Sequence, residues 1–171
     1  MRDALSRWAA LLAVFTTIAA VMACGVRSDG VQINGLMRSD ESTEAVIIDR
    51  PTVIGIVAAR CPHAHEYLQV RAPELLRLVD REGDQFLLVD VSSDDIRARA
   101  TDPDVFEVSQ TGAKLLFDRS DVVAHAFPLY FQGGLPTTLF VSARGNPVTR
   151  ILGLGTDADF ERGLDLAAQG H

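Results

Sequence analysis

Cys61 is the residue whose surroundings most suggest chemistry. It lies where an apolar, β-branched run (residues 52–58) ends and a segment with helical spacing (residues 62–82) begins. The thiolate is the reactive form of cysteine, and the unpaired N–H groups at a helix start favour an anion. The side chains of Arg60 and His63 can add positive charge. We therefore predict a reactive thiol at Cys61, although free cysteine is often a buried structural residue.

The same segment allows a metal site. Cys61, His63 and His65 offer thiolate and imidazole ligands, which suit zinc or copper. Cys61 and His65 would lie about one helical turn apart, and His125 is the remaining internal histidine. Histidines on the first turn of a helix are more often exposed to solvent. Metal binding is therefore ranked below a thiol-based function and below a non-catalytic binding function, and no cofactor is expected.

Length and charge limit the class of protein. The chain has 171 residues, 47% of them hydrophobic, which suits one packed domain plus a targeting segment. The net charge is −7, and the basic residues are scattered. A phosphate backbone would repel such a surface, so no nucleic acid partner is expected.

Residues 1–24 have the pattern of a signal peptide. Arg2 and Arg7 precede a 16-residue run without charge, which is shorter than the ~20 apolar residues of a spanning helix. The run ends in Val-Met-Ala-Cys-Gly at residues 21–25, which resembles the bacterial lipobox. This predicts an exported protein of the cell envelope, lipid-anchored through Cys24 to a bacterial membrane and facing the periplasm or exterior. Simple cleavage after Ala23 and an uncleaved anchor are the alternatives.

Lipid attachment would leave Cys61 as the one free thiol of the mature protein, because Cys24 is the only other cysteine. A polar, Gly-rich stretch over residues 25–44 predicts a flexible tether, with a short strand possible over 45–48. A domain over residues 45–171 should then alternate strands and helices. The predicted strands are 52–58, 86–91, 115–117, 137–141 and 148–152, and the predicted helices are 62–82, part of 92–112, 121–127 and 157–168. Pro73 should kink the first helix or start a second segment.

Three segments together resemble the thioredoxin superfamily. The first is the buried strand that runs into Ala-Arg-Cys-Pro-His-Ala at residues 59–64. The second, Gly-Leu-Pro-Thr-Thr-Leu-Phe-Val at residues 134–141, resembles the family's cis-proline loop, preceded by Gly133. The third, residues 144–153, is similar to the family's penultimate hairpin. The resemblance implies an α/β thioredoxin-like fold whose central mixed sheet of four to five strands is flanked by helices, with Pro136 in cis across from Cys61.

The chain is most similar to redoxins of the membrane-attached and peroxiredoxin-like kinds. About 45 residues separate the second long strand from Pro136, more than a minimal thioredoxin needs. Residues 115–118 and 122–127 resemble the redoxin segment that adds a strand and a short helix. The resemblance therefore implies a redoxin-type insertion before the cis-proline loop.

The active-site motif departs from the family pattern. Cys61-Pro62-His63-Ala64 resembles the Cys-Pro-His-Cys of Dsb-type oxidants with Ala64 in place of the second thiol. A mixed disulfide at Cys61 then has no internal thiol to release it. Peroxiredoxins place Thr three residues before their cysteine, where this chain has Ala58, which disfavours a peroxidase.

We predict a redoxin in which Cys61, assisted by Pro136 and His63, forms mixed disulfides or sulfenic acid. Its partners would be protein thiols or disulfides, an external reducing thiol, and the membrane through the N-terminal lipid. The alternative is a non-catalytic thioredoxin-fold binding module. Copper or zinc binding through Cys61, His63 and His65 is third.

Overall fold

The computed structural model describes residues 30–58, 61–92, 95–103, 105, 113–130 and 134–170. The predicted signal peptide with Cys24 lies outside these residues, as do Arg60 and Gly133. Within the described ranges, no helix combines the length and the apolar character needed to cross a membrane.

Over these residues, seven strands form one mixed sheet in the order β2-β1-β5-β4-β3-β6-β7. The strands are β1 (Val31–Met37), β2 (Thr43–Ile48), β3 (Thr52–Val57), β4 (Gln85–Asp90), β5 (Lys114–Phe117), β6 (Thr137–Val141) and β7 (Pro147–Leu152). β3 is parallel to its neighbour β4 and antiparallel to its neighbour β6, so the sheet is mixed, as predicted.

The tether prediction is wrong for most of its length. Residues 31–37 form β1, and β2 begins at Thr43, so the two strands make a hairpin that raises the strand count above the predicted four to five. Ile33 and Leu36 of β1 are almost fully buried. The polar composition of residues 25–44 concealed these few apolar positions, which are enough to hold an edge hairpin on the domain.

The helices lie close to their predicted positions. They are α1 (Ala64–Glu66), α2 (Ala72–Glu82), α3 (Ile96–Ala100), α4 (Val122–Ala126) and α5 (Asp157–Gln169). A π-helical turn, Tyr67–Arg71, joins α1 to α2. Pro73 lies in the first turn of α2, directly after the π-helical turn, where a missing N–H is best tolerated. Gly83 ends α2 with a φ of 75°, a conformation that favours glycine.

Both faces of the sheet are covered. On one face, α2 and α5 pack on a cluster that includes Val53, Leu75 and Phe160. On the other face, α4 packs on a second cluster, which includes Ile54 and Val123 and to which β1 and β2 also contribute. β3 supplies residues to both clusters, which explains why its sequence is continuously apolar.

The sheet register brings two chain segments to one edge. Ile56, near the end of β3, is paired with Thr137, the first residue of β6. Cys61 follows β3, and Pro136 directly precedes β6. The antiparallel pairing therefore places the Cys61 turn and the Pro136 loop side by side.

Candidate functional site

A tight turn places Cys61 just before the helix. The Cys61 N–H donates to the Ala58 carbonyl at 2.9 Å, and the Ala64 N–H donates to the Cys61 carbonyl at 3.0 Å. Ala64 is the first residue of α1, so Cys61 precedes the helix by three residues. Its side chain is partly exposed and forms no disulfide.

The Cys61 thiol contacts the loop that precedes β6. Sγ donates to the Leu135 carbonyl oxygen at 2.8 Å, across 74 residues of sequence. The Leu135–Pro136 peptide bond is cis, and the Sγ contact places this loop across from Cys61, as the resemblance implied. Only the protonated thiol has a hydrogen for this bond, because a thiolate and a carbonyl oxygen are both acceptors.

The loop itself is held by two further hydrogen bonds. Thr137 Oγ1 donates to the Gly134 carbonyl at 2.7 Å. The Gly153 N–H donates to the Pro136 carbonyl at 2.8 Å, from the residue after β7. Because the carbonyls on either side of Leu135 have protein partners, the Leu135 carbonyl is the one directed to Cys61.

Arg71 connects the helical segment that follows Cys61 to the chain segment before α5. Its guanidinium lies 2.7 Å from carboxylate oxygens of both Glu74 and Asp157 and donates to the Gly155 carbonyl at 3.2 Å. It also lies 5.7 Å from the ring centroid of Phe160. Arg71 therefore ties the π-helical turn to the segment that joins β7 to α5, whose other end carries Gly153.

A buried tyrosine links the Cys61 segment to β6, and its role was not predicted from the sequence. The hydroxyls of Tyr67 and Thr138 share a hydrogen bond of 2.8 Å, and both residues are fully buried. Burial raises the pKa of Tyr67, so its hydroxyl stays neutral. The available signal was Gly55 in the apolar strand β3, since a glycine there often marks the close approach of another group.

Ala64 occupies the position of the missing second thiol. It is only 4% exposed, whereas Cys61 next to it across the turn is partly exposed. The arrangement thus has an accessible sulfur at position 61 and a small buried side chain at position 64.

The histidines of the site are exposed. His63 lies at the N-cap position of α1, and its side chain makes no capping hydrogen bond. His125 Nδ1 lies 2.7 Å from the Asp121 carbonyl in α4. Among the described residues, no group of three or more His, Cys, Asp or Glu side chains could hold a metal ion. The geometry therefore gives no support to the metal interpretation of Cys61, His63 and His65.

Two buried carboxylates end neighbouring strands at the same sheet edge. Asp90 accepts hydrogen bonds from Ser92 and pairs with Arg99 at 2.5 Å. Asp118 accepts from the backbone N–H groups of Val122 and Val123 at 2.8 Å and so caps α4. Since donors surround both carboxylates, we assign them to structure rather than to acid–base chemistry.

Comparison with known proteins places the fold. No protein-family model matches the sequence, and no curated protein matches it. Among solved structures, a thiol:disulfide interchange protein of the thioredoxin family from Chlorobium tepidum is similar, with a TM-score of 0.58 and 17% identity over 81% of this chain and 94% of that one. The protein has the thioredoxin-like fold. The predicted fold class is therefore confirmed, apart from the number of strands.

Two further structures with this thioredoxin-like fold are of a secreted protein and of an exposed lipoprotein. The secreted disulfide oxidoreductase of Mycobacterium tuberculosis has a TM-score of 0.55 and 14% identity, over 83% of this chain and 98% of that one. The exposed lipoprotein thioredoxin of Streptococcus pneumoniae has a TM-score of 0.51 and 16% identity, over 79% and 98%. Identities this low establish the fold alone.

Proposed function

We propose that this thioredoxin-like domain performs single-thiol exchange through Cys61. The observation that carries the proposal is the 2.8 Å contact between Cys61 Sγ and the Leu135 carbonyl. It sets a partly exposed cysteine directly beside the loop of Leu135 and Pro136. A polypeptide in extended form could pair with this backbone while its own sulfur meets Cys61.

The exchange has two balanced steps. The Cys61 thiol loses its proton to solvent, and Sγ attacks one sulfur of a partner disulfide. A new S–S bond forms to Cys61, the partner S–S bond breaks, and the departing sulfur takes up a proton as a thiol. An external thiol then attacks the mixed disulfide, which returns Cys61 as a thiol and leaves the partner joined to the external thiol.

The second step must use an external thiol because Ala64 stands at the position from which an internal one would attack. This part of the proposal distinguishes the domain from a dithiol oxidoreductase. The partner class, protein disulfides and thiols, is supported by the fold and by the descriptions of similar structures as interchange proteins and disulfide oxidoreductases.

We also propose that the domain works outside the cytoplasm, attached to a membrane through a lipid on Cys24. The support is the lipobox-like sequence at residues 21–25 and the secreted or lipoprotein descriptions of two similar structures. Mass spectrometry of membrane-extracted protein should find diacylated Cys24 as the first residue. A mature N-terminus elsewhere would refute the anchor.

One observation favours a second candidate, a non-catalytic binding module. The thiol of Cys61 already satisfies the Leu135 carbonyl, which suits a structural contact as well as a resting active site. In that case the loop would bind a partner without covalent chemistry. Reactivity of Cys61 separates the two functions.

To test thiol exchange, the protein is incubated with oxidised glutathione and the mass of the intact protein is measured. The full chain should gain one glutathione at Cys61, and added reduced thiol should remove it. Cys61→Ser should gain none at that position, whereas Cys24→Ser should behave as the wild type. An unmodified Cys61 in folded protein would instead support the binding module.

A further inference from the structure

The hydroxyl of Tyr67 joins three elements of the site. Tyr67 lies six residues after Cys61, in the helical segment that follows the Cys61 turn, and its ring packs over Gly55 of β3. A Cβ atom at Gly55 would lie 2.6 Å from Tyr67 Oη and 3.3 Å from Cε1. The hydroxyl then reaches Thr138 of β6 at 2.8 Å. Thr138 is also the residue paired with Gly55 across the two strands.

The Tyr67–Thr138 hydrogen bond joins the helical segment after Cys61 to the strand after Pro136, and the distance between these two segments sets the position of the thiol. One end belongs to the segment that follows Cys61, and the other lies two residues after Pro136. Both hydroxyls are fully buried, so a shift of the helical segment along β6 would leave them without a partner, which is unfavourable in a dry interior. Gly55 provides the space that the hydroxyl needs.

We propose that Tyr67 is a positioning residue for Cys61. Its hydrogen bond to Thr138, above Gly55, fixes the Cys61 turn against the loop of Leu135 and Pro136, and so holds the thiol on the Leu135 carbonyl. This inference rests on the proposed function in that Cys61 is the reacting group. It adds a residue that lies six positions along the chain from the thiol.

The test measures the alkylation rate of Cys61 by iodoacetamide in the full chain, followed on the Cys61 peptide by mass spectrometry. Tyr67→Phe and Thr138→Val each remove the hydrogen bond and should free the thiol, raising the rate about threefold to tenfold, as expected for one lost hydrogen bond. The double variant should react no faster than either single variant, because all three lack the same contact. Thr138→Ser keeps a hydroxyl and should restore a rate near that of the wild type.

Gly55→Ala provides an independent variant that acts through the same contact. Its new methyl group would displace the Tyr67 hydroxyl, so it should raise the rate in the wild type and change it little in Tyr67→Phe. Val46→Ala is the control, because Val46 is buried in β2 within the cluster on the opposite face of the sheet. It should lower stability without changing the rate at a temperature where every variant is folded.

Two results would overturn the inference. One is a rate in Tyr67→Phe equal to that in Val46→Ala when both are folded, which would make Tyr67 a packing residue only. The other is an additive effect in the double variant. Because iodoacetamide needs no partner protein, failure of Cys61 to form mixed disulfides would refute the proposed function without affecting this series.

Discussion

The backbone N–H of Ala64 donates to the carbonyl of Cys61 at 3.0 Å, so these two residues close one turn of chain. Position 64 therefore lies next to Cys61 in space, and its side chain is buried while that of Cys61 is partly exposed. An exposed attacking sulfur and a recessed second position are already present. Position 64 itself carries a methyl group and no sulfur.

Ala64→Cys should convert the domain into a dithiol enzyme. A sulfur at position 64 can attack a mixed disulfide on Cys61 intramolecularly, at an effective concentration of about millimolar or higher. We expect an intrachain disulfide between positions 61 and 64 after mild oxidation, detected as the loss of two hydrogens by mass. Ala98→Cys, on the exposed surface of α3, is the control that adds a thiol without this geometry. Absence of the intrachain disulfide would show that the turn does not hold the two positions together.

Pro136→Ala should alter Cys61 chemistry as well as stability. The Leu135 carbonyl holds the thiol, and the Pro136 carbonyl holds Gly153, so a looser loop disturbs both contacts. Loss of the proline should lower the free energy of unfolding by about 0.5–1 kcal/mol through the unfolded chain alone. Iodoacetamide should alkylate Cys61 severalfold faster than in the wild type. A fall in melting temperature with an unchanged alkylation rate would contradict the account.

Gly134 provides a way to block a partner without touching the thiol. A Cβ atom at this position meets nothing within 4 Å, so a side chain would project into open space beside the loop. Gly134→Leu should slow mixed-disulfide formation with a protein partner by about tenfold, which corresponds to ~1.4 kcal/mol of lost binding. Alkylation of Cys61 by iodoacetamide should stay unchanged, and Gly134→Ala should have a smaller effect on the partner reaction. Equal rates in all three proteins would show that partners do not cross this loop.

The environment of Asp84 should make the free energy of unfolding depend on pH, independently of the Cys61 thiol. Burial, followed by the nearby negative charge of Glu82, raises the pKa of Asp84 in the folded protein. The folded state then holds this proton more tightly than the unfolded state, so the group destabilises the fold as the pH rises through the aspartate range. Asp84→Asn should therefore unfold at a higher urea concentration than the wild type at about pH 7, and at the same concentration at about pH 2. A lower midpoint at neutral pH would contradict this sign.

The sequence predicted the arrangement around Cys61 correctly where its segments resemble a known family. The resemblance to the thioredoxin superfamily implied that Pro136 lies across from Cys61, and the contact between Cys61 Sγ and the Leu135 carbonyl agrees with that arrangement. The β1 strand escaped prediction because its apolar residues are few and lie in a polar stretch. The Tyr67–Thr138 contact escaped as well, since a pairing across 71 residues leaves no local periodic signal.

The π-helical turn is another feature that spacing did not reveal. The sequence predicted that Pro73 would kink the first helix or start a second segment. The Ala72 N–H donates to the Tyr67 carbonyl, five residues back, so the chain continues as one helical segment with a widened turn. This turn carries Tyr67 and Arg71, the residues that tie the helix to β6 and α5.

Turnover on a protein disulfide such as insulin tests the central claim most directly. The wild-type chain should consume one disulfide per Cys61 and then stop as a stable mixed disulfide, because position 64 carries no sulfur to release it. Added glutathione should restart the reaction, and Cys61→Ser should be inactive in both conditions. Repeated turnover by the wild type without added thiol would contradict single-thiol exchange at Cys61.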